Sequence, residues 1–135
     1  MSTLHIPFRH DHVGSFLRPV RLKDARIRYE AGSISAEQLK QIEDEEIAAL
    51  IEKQKQAGCL VITDGEFRRS YWHLDFMWGF QGIQKIELDH GYFFHGEETT
   101  PGSIEVIGKI SGEDHPFVEH FRFVKQFEEE GIVAK

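Results

Sequence analysis

Apolar residues recur along this chain in distinct rhythms, and each rhythm predicts a different element. From Leu39 the apolar positions fall three to five residues apart, through Ile42, Ile47, Leu50 and Ile51, which lays one stripe along a helix. Ser35 has the chemistry of an N-cap, and Gln38 three residues later completes a capping box. Lys53 and Lys55 complement the negative end of the helix dipole, and Gly58 ends the helix. The acidic block Glu43 to Glu46 is expected to be mostly its solvated face. From Cys59 to Thr63 the rhythm changes to consecutive apolar positions, as in a strand covered on both faces. Earlier in the chain, a short extended run from about Ile6 to Phe16 ends in Val13-Gly14-Ser15-Phe16. Pro19 then opens a helix carrying Leu22, Ala25, Ile27 and Tyr29, stopped by Gly32.

Strand, helical crossover, strand is a βαβ unit, so the two strands are expected to be parallel with a right-handed connection. Beyond Arg69 the pattern differs. Tyr71 to Phe80 is rich in aromatics and fits a short helix or an ordered loop. Gln84 to Leu88 and Ser103 to Ile110 read as an antiparallel pair. His115-Pro116 opens a further helix through about Glu130, with Phe117, Phe121, Val124 and Phe127 as its stripe. Gly131 breaks it, and Ile132-Val133-Ala134 starts a third strand.

The length of 135 residues suits one ordinary domain, and 40% hydrophobic with 29% charged residues is a globular composition. No run of about 18 apolar residues exists, which argues against a membrane span. Pro7, Arg9, His10 and Asp11 interrupt any secretory signal. The single cysteine, Cys59, allows no internal disulfide and fits a reducing cytosol, so a cytoplasmic location is expected. It precedes a buried strand and has the character of a small core residue. A net charge of −7 without a basic stripe argues against nucleic acid as a partner.

The candidate chemistry sits at strand ends. Thr63, Asp64, Gly65 and Glu66 follow the buried strand directly, and Arg68, Arg69, Tyr71 and Trp72 follow them. Charged groups at the carboxyl ends of strands are where open α/β sheets and α/β barrels place ligand-handling residues. An ordinary strand followed by a solvated loop fits the local pattern as well. In a parallel unit, consecutive strand ends share one face, so Val13-Gly14-Ser15 and Asp64-Gly65-Glu66 would border one cleft. One segment brings backbone donors and a hydroxyl, the other a carboxylate, and these complement the carboxylate and ammonium of an amino acid. His10 and His12 form an alternating pair, but spacing alone is weak evidence for a metal, and no Cys-x-x-Cys or His-Glu-x-x-His motif is present.

The run His12-Val13-Gly14-Ser15-Phe16-Leu17-Arg18-Pro19, the helix end Glu52-Lys53-Gln54-Lys55-Gln56-Ala57-Gly58, and Ile62-Thr63-Asp64-Gly65-Glu66-Phe67-Arg68-Arg69 together resemble the cobalamin-independent methionine synthases. The likeness is greatest to the short, single-barrel relatives of that family, and it extends through Gly108-Lys109-Ile110 and His115-Pro116. The resemblance implies a (β/α)8 barrel that transfers a methyl group from a methylfolate to homocysteine or a related thiol. It implies substrate-binding roles for Val13, Gly14, Ser15 and Glu66. It also matches Arg69 to an arginine of the family motif, which is expected to brace the cleft, while Arg68 is expected to be the more solvated of the two. For either arginine a surface ion pair fits as well.

The family's zinc ligands, which turn the substrate thiol into a thiolate, belong to a later motif with no counterpart here. This chain alone is therefore expected to bind no zinc. A complete barrel takes about 250 residues. Residues 1–135 are accordingly expected to form a partial barrel: two strand–helix units, the start of a third, and an inserted antiparallel strand pair. Such a piece would pack against the missing barrel half or another copy of the chain. A noncatalytic remnant, or a binding or assembly module, is the alternative to part of an enzyme.

Overall fold

The computed structural model describes residues 11–135. Its elements run α1 (Val20–Glu30), α2 (Ala36–Gln56), β1 (Val61–Ile62), α3 (Leu74–Trp78), β2 (Gln81–Glu87), β3 (Phe93–Phe94), β4 (Glu97–Glu98), β5 (Gly102–Ser111), α4 (Pro116–Lys125) and β6 (Val133–Ala134). The chain is thus α/β, and it divides into two compact units. Residues up to Arg68 together with His120–Lys135 form the first, and Arg69–Glu119 form the second.

In the first unit, β1 and β6 pair in parallel, Val61 opposite Val133 and Ile62 opposite Ala134. The long helix α2 forms as its sequence predicts. Ser35 Oγ accepts from the Gln38 N–H at 3.2 Å, and the Gln38 side chain accepts from the Ser35 N–H at 2.8 Å, closing the capping box. Its apolar stripe turns inward: Ile47 and Ile51 join Leu22, Ile62, Phe67 and Val124 in the buried core. Of the four apolar residues that α1 carries, Leu22 and Ala25 are buried, whereas Ile27 and Tyr29 are exposed.

Two expectations need correction here. The extended run from Ile6 falls partly outside the described residues, and residues 11–16 form no strand. Gly14 has φ +94°, which breaks an extended path, and Val13 is 83% exposed. The parallel pair is therefore the one between β1 and β6. The last helix also stops at Lys125 rather than near Glu130. Its carbonyls at Phe123, Val124 and Lys125 are taken by the N–H groups of Gln126, Phe127 and Glu128, three residues on, which tightens and ends the helix. Gly131, at φ +80°, then allows a two-residue reversal in which Glu129 and Ile132 exchange backbone hydrogen bonds at 3.0 and 3.3 Å.

In the second unit, β2 and β5 form the expected antiparallel pair, with a register shift next to Gly82. A Cβ at Gly82 would lie 2.4 Å from the Lys109 carbonyl oxygen, so the strands approach there only because the residue is glycine. The aromatic stretch resolves into the single-turn helix α3. Asp75 accepts the N–H groups of Ser70 and Tyr71 and so ties the preceding loop to the first turn of that helix. His115 is buried among Phe76, Phe80 and Phe117. Its Nδ1 accepts from the Phe117 N–H at 3.1 Å, so Nε2 carries the proton given to the Phe76 carbonyl at 2.8 Å.

Candidate functional site

The turn after β1 is built by short-range chemistry and then fastened by helices. Gln54, only 3% exposed on α2, brackets the backbone of Thr63. Its Oε1 accepts the Thr63 N–H at 3.0 Å and its Nε2 donates to the Thr63 carbonyl at 2.8 Å. A side-chain amide so takes the place of a neighbouring strand and ends β1. Thr63 Oγ1 then accepts from the Gly65 N–H at 2.9 Å, and Asp64 Oδ1 from the Glu66 N–H at 2.8 Å. The Phe67 N–H closes the turn onto the Asp64 carbonyl at 3.3 Å. Gly65 and Glu66 have φ of +64° and +58°, the signs of a type I′ turn. Glycine adopts that conformation freely, but glutamate does so at a cost of about 1–2 kcal/mol. Strain held on a charged residue at a strand's carboxyl end is a reason to ask what that residue does.

The second segment lies directly against this turn. The Phe16 N–H donates to the Gly65 carbonyl at 3.1 Å, and Arg18 donates to the Glu66 carbonyl at 2.8 Å. Val13, Gly14 and Ser15, immediately before Phe16, are exposed. His12 stacks on Phe16 with ring centroids 3.8 Å apart, and Lys135 just beyond β6 binds the Asp11 carboxylate at 2.6 Å and the His12 carbonyl at 3.1 Å. Lys135 holds the Asp11 carboxyl below its ordinary range, mainly through that hydrogen bond. The ends of segment 11–16, β1 and β6 are thereby laced together, with Ser15 and Glu66 on adjoining segments.

Arg68 behaves differently from expectation. Arg68, expected to be solvated, has a side chain only 5% exposed and pairs with Glu43 at 3.1 Å and with Asp44. Its guanidinium lies 5.1 Å from the centre of the Phe123 ring. The block Glu43 to Glu46 is accordingly not mainly a solvated face. Glu43 and Asp44 hold Arg68, while Glu45 and Glu46 hold Arg21. Burial pushes the Glu43 carboxyl above its ordinary range, more than Arg68 and Arg26 pull it down. At Asp44 burial also acts upward, but hydrogen bonds from Lys40 and Arg68 outweigh it and leave the carboxyl lowered. Arg69 opens the second unit, where its guanidinium lies 4.5 Å from the Phe117 ring centre. Sequence reasoning missed Gln54 and Arg26. The only signal for Gln54 was a polar side chain one turn beyond Leu50 and Ile51, on the stripe that proves to be buried.

No group of three His, Cys, Asp or Glu side chains that could hold a metal occurs among the described residues, and His10 lies outside them. Cys59 is a half-buried free thiol. No helix among them is long and apolar enough to cross a membrane.

Comparison with known proteins gives one consistent answer. The profile of the family described as cobalamin-independent synthase, catalytic domain, matches residues 8–100. The Bacillus subtilis (strain 168) proteins YxjH and YxjG, both uncharacterized, are 47% identical over 120 residues and 45% identical over 118 residues. These alignments take in 89% and 87% of this chain but 32% and 31% of those proteins. Among solved structures, a candidate vitamin-B12-independent methionine synthase from Listeria monocytogenes superposes with a TM-score of 0.75 at 41% identity, covering 95% of this chain and 35% of that one. The chain thus spans about a third of the length of the relatives it matches. With its matching profile, its identity to these relatives and its shared α/β structure, the chain belongs to the cobalamin-independent synthase catalytic-domain family.

Proposed function

We propose that this chain supplies the amino-acid-binding part of a site that moves a methyl group from a methylfolate to homocysteine or a related thiol. The observation that carries this reading is the backbone hydrogen bond from Phe16 to Gly65, which sets Ser15 beside the turn that presents Glu66. In this arrangement the Glu66 carboxylate accepts the substrate ammonium. Ser15, through its hydroxyl, and the backbone around Gly14 meet the substrate carboxylate. Val13 borders the same opening. β1 and β6 then act as neighbouring staves of a (β/α)8 barrel, with segment 11–16 alongside, completed by further chain or by a second copy. A zinc ion held by that further part would supply thiolate chemistry by lowering the thiol pKa.

A chimera tests this reading: residues 1–135 replace the matching third of the Listeria protein, and homocysteine methylation is measured. We expect activity, and we expect Glu66→Gln in the chimera to raise the KM for homocysteine on the order of ten- to a hundredfold, the loss of one charge-assisted hydrogen bond. An active chimera whose KM ignores Glu66→Gln would sink the proposed role. Homocysteine binding by the chain, with a folded but inactive chimera, would instead favour a noncatalytic binding module.

A further inference from the structure

Three arginines converge on the backbone that leaves Glu66. Arg18 donates to the carbonyl of Glu66 at 2.8 Å, and Arg26 donates to the carbonyl of the next residue, Phe67. Arg68 follows in sequence and is fixed to α2 through Glu43 and Asp44. Glu43 joins two of the three, with its carboxylate 3.1 Å from Arg68 and 3.9 Å from Arg26. Its side chain is 12% exposed, and that of Arg26 20%. One carboxylate on α2 thus touches both fastenings on the exit of the turn, and Asp44 shares the hold on Arg68.

A half-buried charge network is a poor way to add stability, because desolvation consumes most of the attraction and apolar side chains of similar volume do as well or better. What such a network supplies is direction. A guanidinium presents its donors in a fixed planar fork, so two arginines braced by one carboxylate define where a carbonyl and the chain after it must lie. Glu66 occupies a left-handed conformation that a glutamate leaves readily unless its surroundings hold it there.

We infer that Glu43 is a positioning residue: by bracing Arg26 and Arg68 it holds the turn that aims the Glu66 carboxylate. The inference rests on the reading of Glu66 as the partner of a substrate ammonium. Glu43 itself touches no substrate and acts through the arginines alone.

The test uses the full 135-residue chain with two independent measurements. The three-bond HN–Hα coupling of Glu66 and the amide exchange of residues 64–68 report the turn without any ligand, and calorimetry with L-homocysteine reports binding. In Glu43→Gln we expect Glu66 to average between left- and right-handed conformations, its amide to exchange faster, and homocysteine affinity to fall on the order of ten- to a hundredfold, as for displaced binding groups. The unfolding midpoint should not fall below that of the parent chain. Arg26→Lys should move both measurements in the same direction, since an ammonium cannot reproduce the guanidinium fork. It also decides the matter if Glu43→Gln does not fold. Unchanged coupling and affinity in a folded variant would overturn the inference. If the parent chain binds no homocysteine, the amino-acid role of Glu66 fails, while the coupling still decides what Glu43 does.

Discussion

Replacing Gly65 with alanine tests the turn at its tightest point. Two costs arise. At φ +64° a residue with a Cβ loses about 1–2 kcal/mol relative to glycine. The added Cβ would also lie 2.4 Å from Leu50 Cδ2 and 3.2 Å from Phe16 Cδ2, and inserting a methyl group into such a site costs about 1–3 kcal/mol. Against these, alanine restricts the unfolded chain and returns about 0.4–1 kcal/mol. The net expectation is a loss of roughly 2–4 kcal/mol, a large share of the ~5–15 kcal/mol that holds an ordinary domain. Urea denaturation followed by far-ultraviolet circular dichroism measures it, and the double variant Gly65→Ala/Leu50→Ala separates the two costs. Leu50 is the nearest contact and the end of a flexible side chain, so shortening it should remove much of the clash but none of the backbone strain. The coupling in the cycle should then be about 0.5–3 kcal/mol in the direction of relief. A loss below about 0.5 kcal/mol for Gly65→Ala would refute the close approach and the strain together. A normal loss with no coupling would place the clash elsewhere.

Three further outcomes follow from the same structure. Gln54→Leu should cost about 2–4 kcal/mol and speed exchange of the Thr63 amide, because it strands a backbone donor and acceptor at about 1–3 kcal/mol each, partly offset by added apolar burial; an unchanged exchange rate would refute the bracket. For pH, Glu43 and Asp44 act oppositely. The raised Glu43 makes the folded state hold more protons above 4.5, so its contribution falls as pH rises from 4.5 through the folded value. The lowered Asp44 contributes stability above 3.8 that is lost as pH falls through its folded value. Glu43→Gln should therefore flatten the stability profile on the neutral side of 4.5 while leaving the acid loss in place, and an unaltered profile would contradict the assignment. Leu17 is 95% exposed, and Val13 and Val20 in the same stretch of chain are exposed too, so Leu17→Glu should change unfolding free energy by less than about 0.5 kcal/mol while reducing light scattering at high protein concentration; equal scattering would show that Leu17 does not drive association.

Local rules in the sequence by itself determined α1 and α2, the glycines that follow them and the β2–β5 pairing. The Ser35–Gln38 capping box, the stripe through Ile47 and Ile51, and the extended run Ser103 to Ile110 each depend on neighbours a few residues apart, so a linear pattern carries them. The short motifs around Gly14-Ser15 and Asp64-Gly65-Glu66 also sufficed to indicate the family. What faces what was decided only in three dimensions. Arg68 looks like a surface residue in sequence, and the acidic block from Glu43 looks like a surface stripe. The two are 25 residues apart and become partners only when β1 packs along α2. Gln54 looks like one more polar helix residue until Thr63 arrives to use both ends of its amide. Segment 11–16 has the composition of a strand, yet the described residues give it one backbone bond to the β1 turn, and Gly14 turns it out of extension. Pairing, burial and charge neutralisation are relations between distant segments, and no local periodicity encodes which segment will supply the partner.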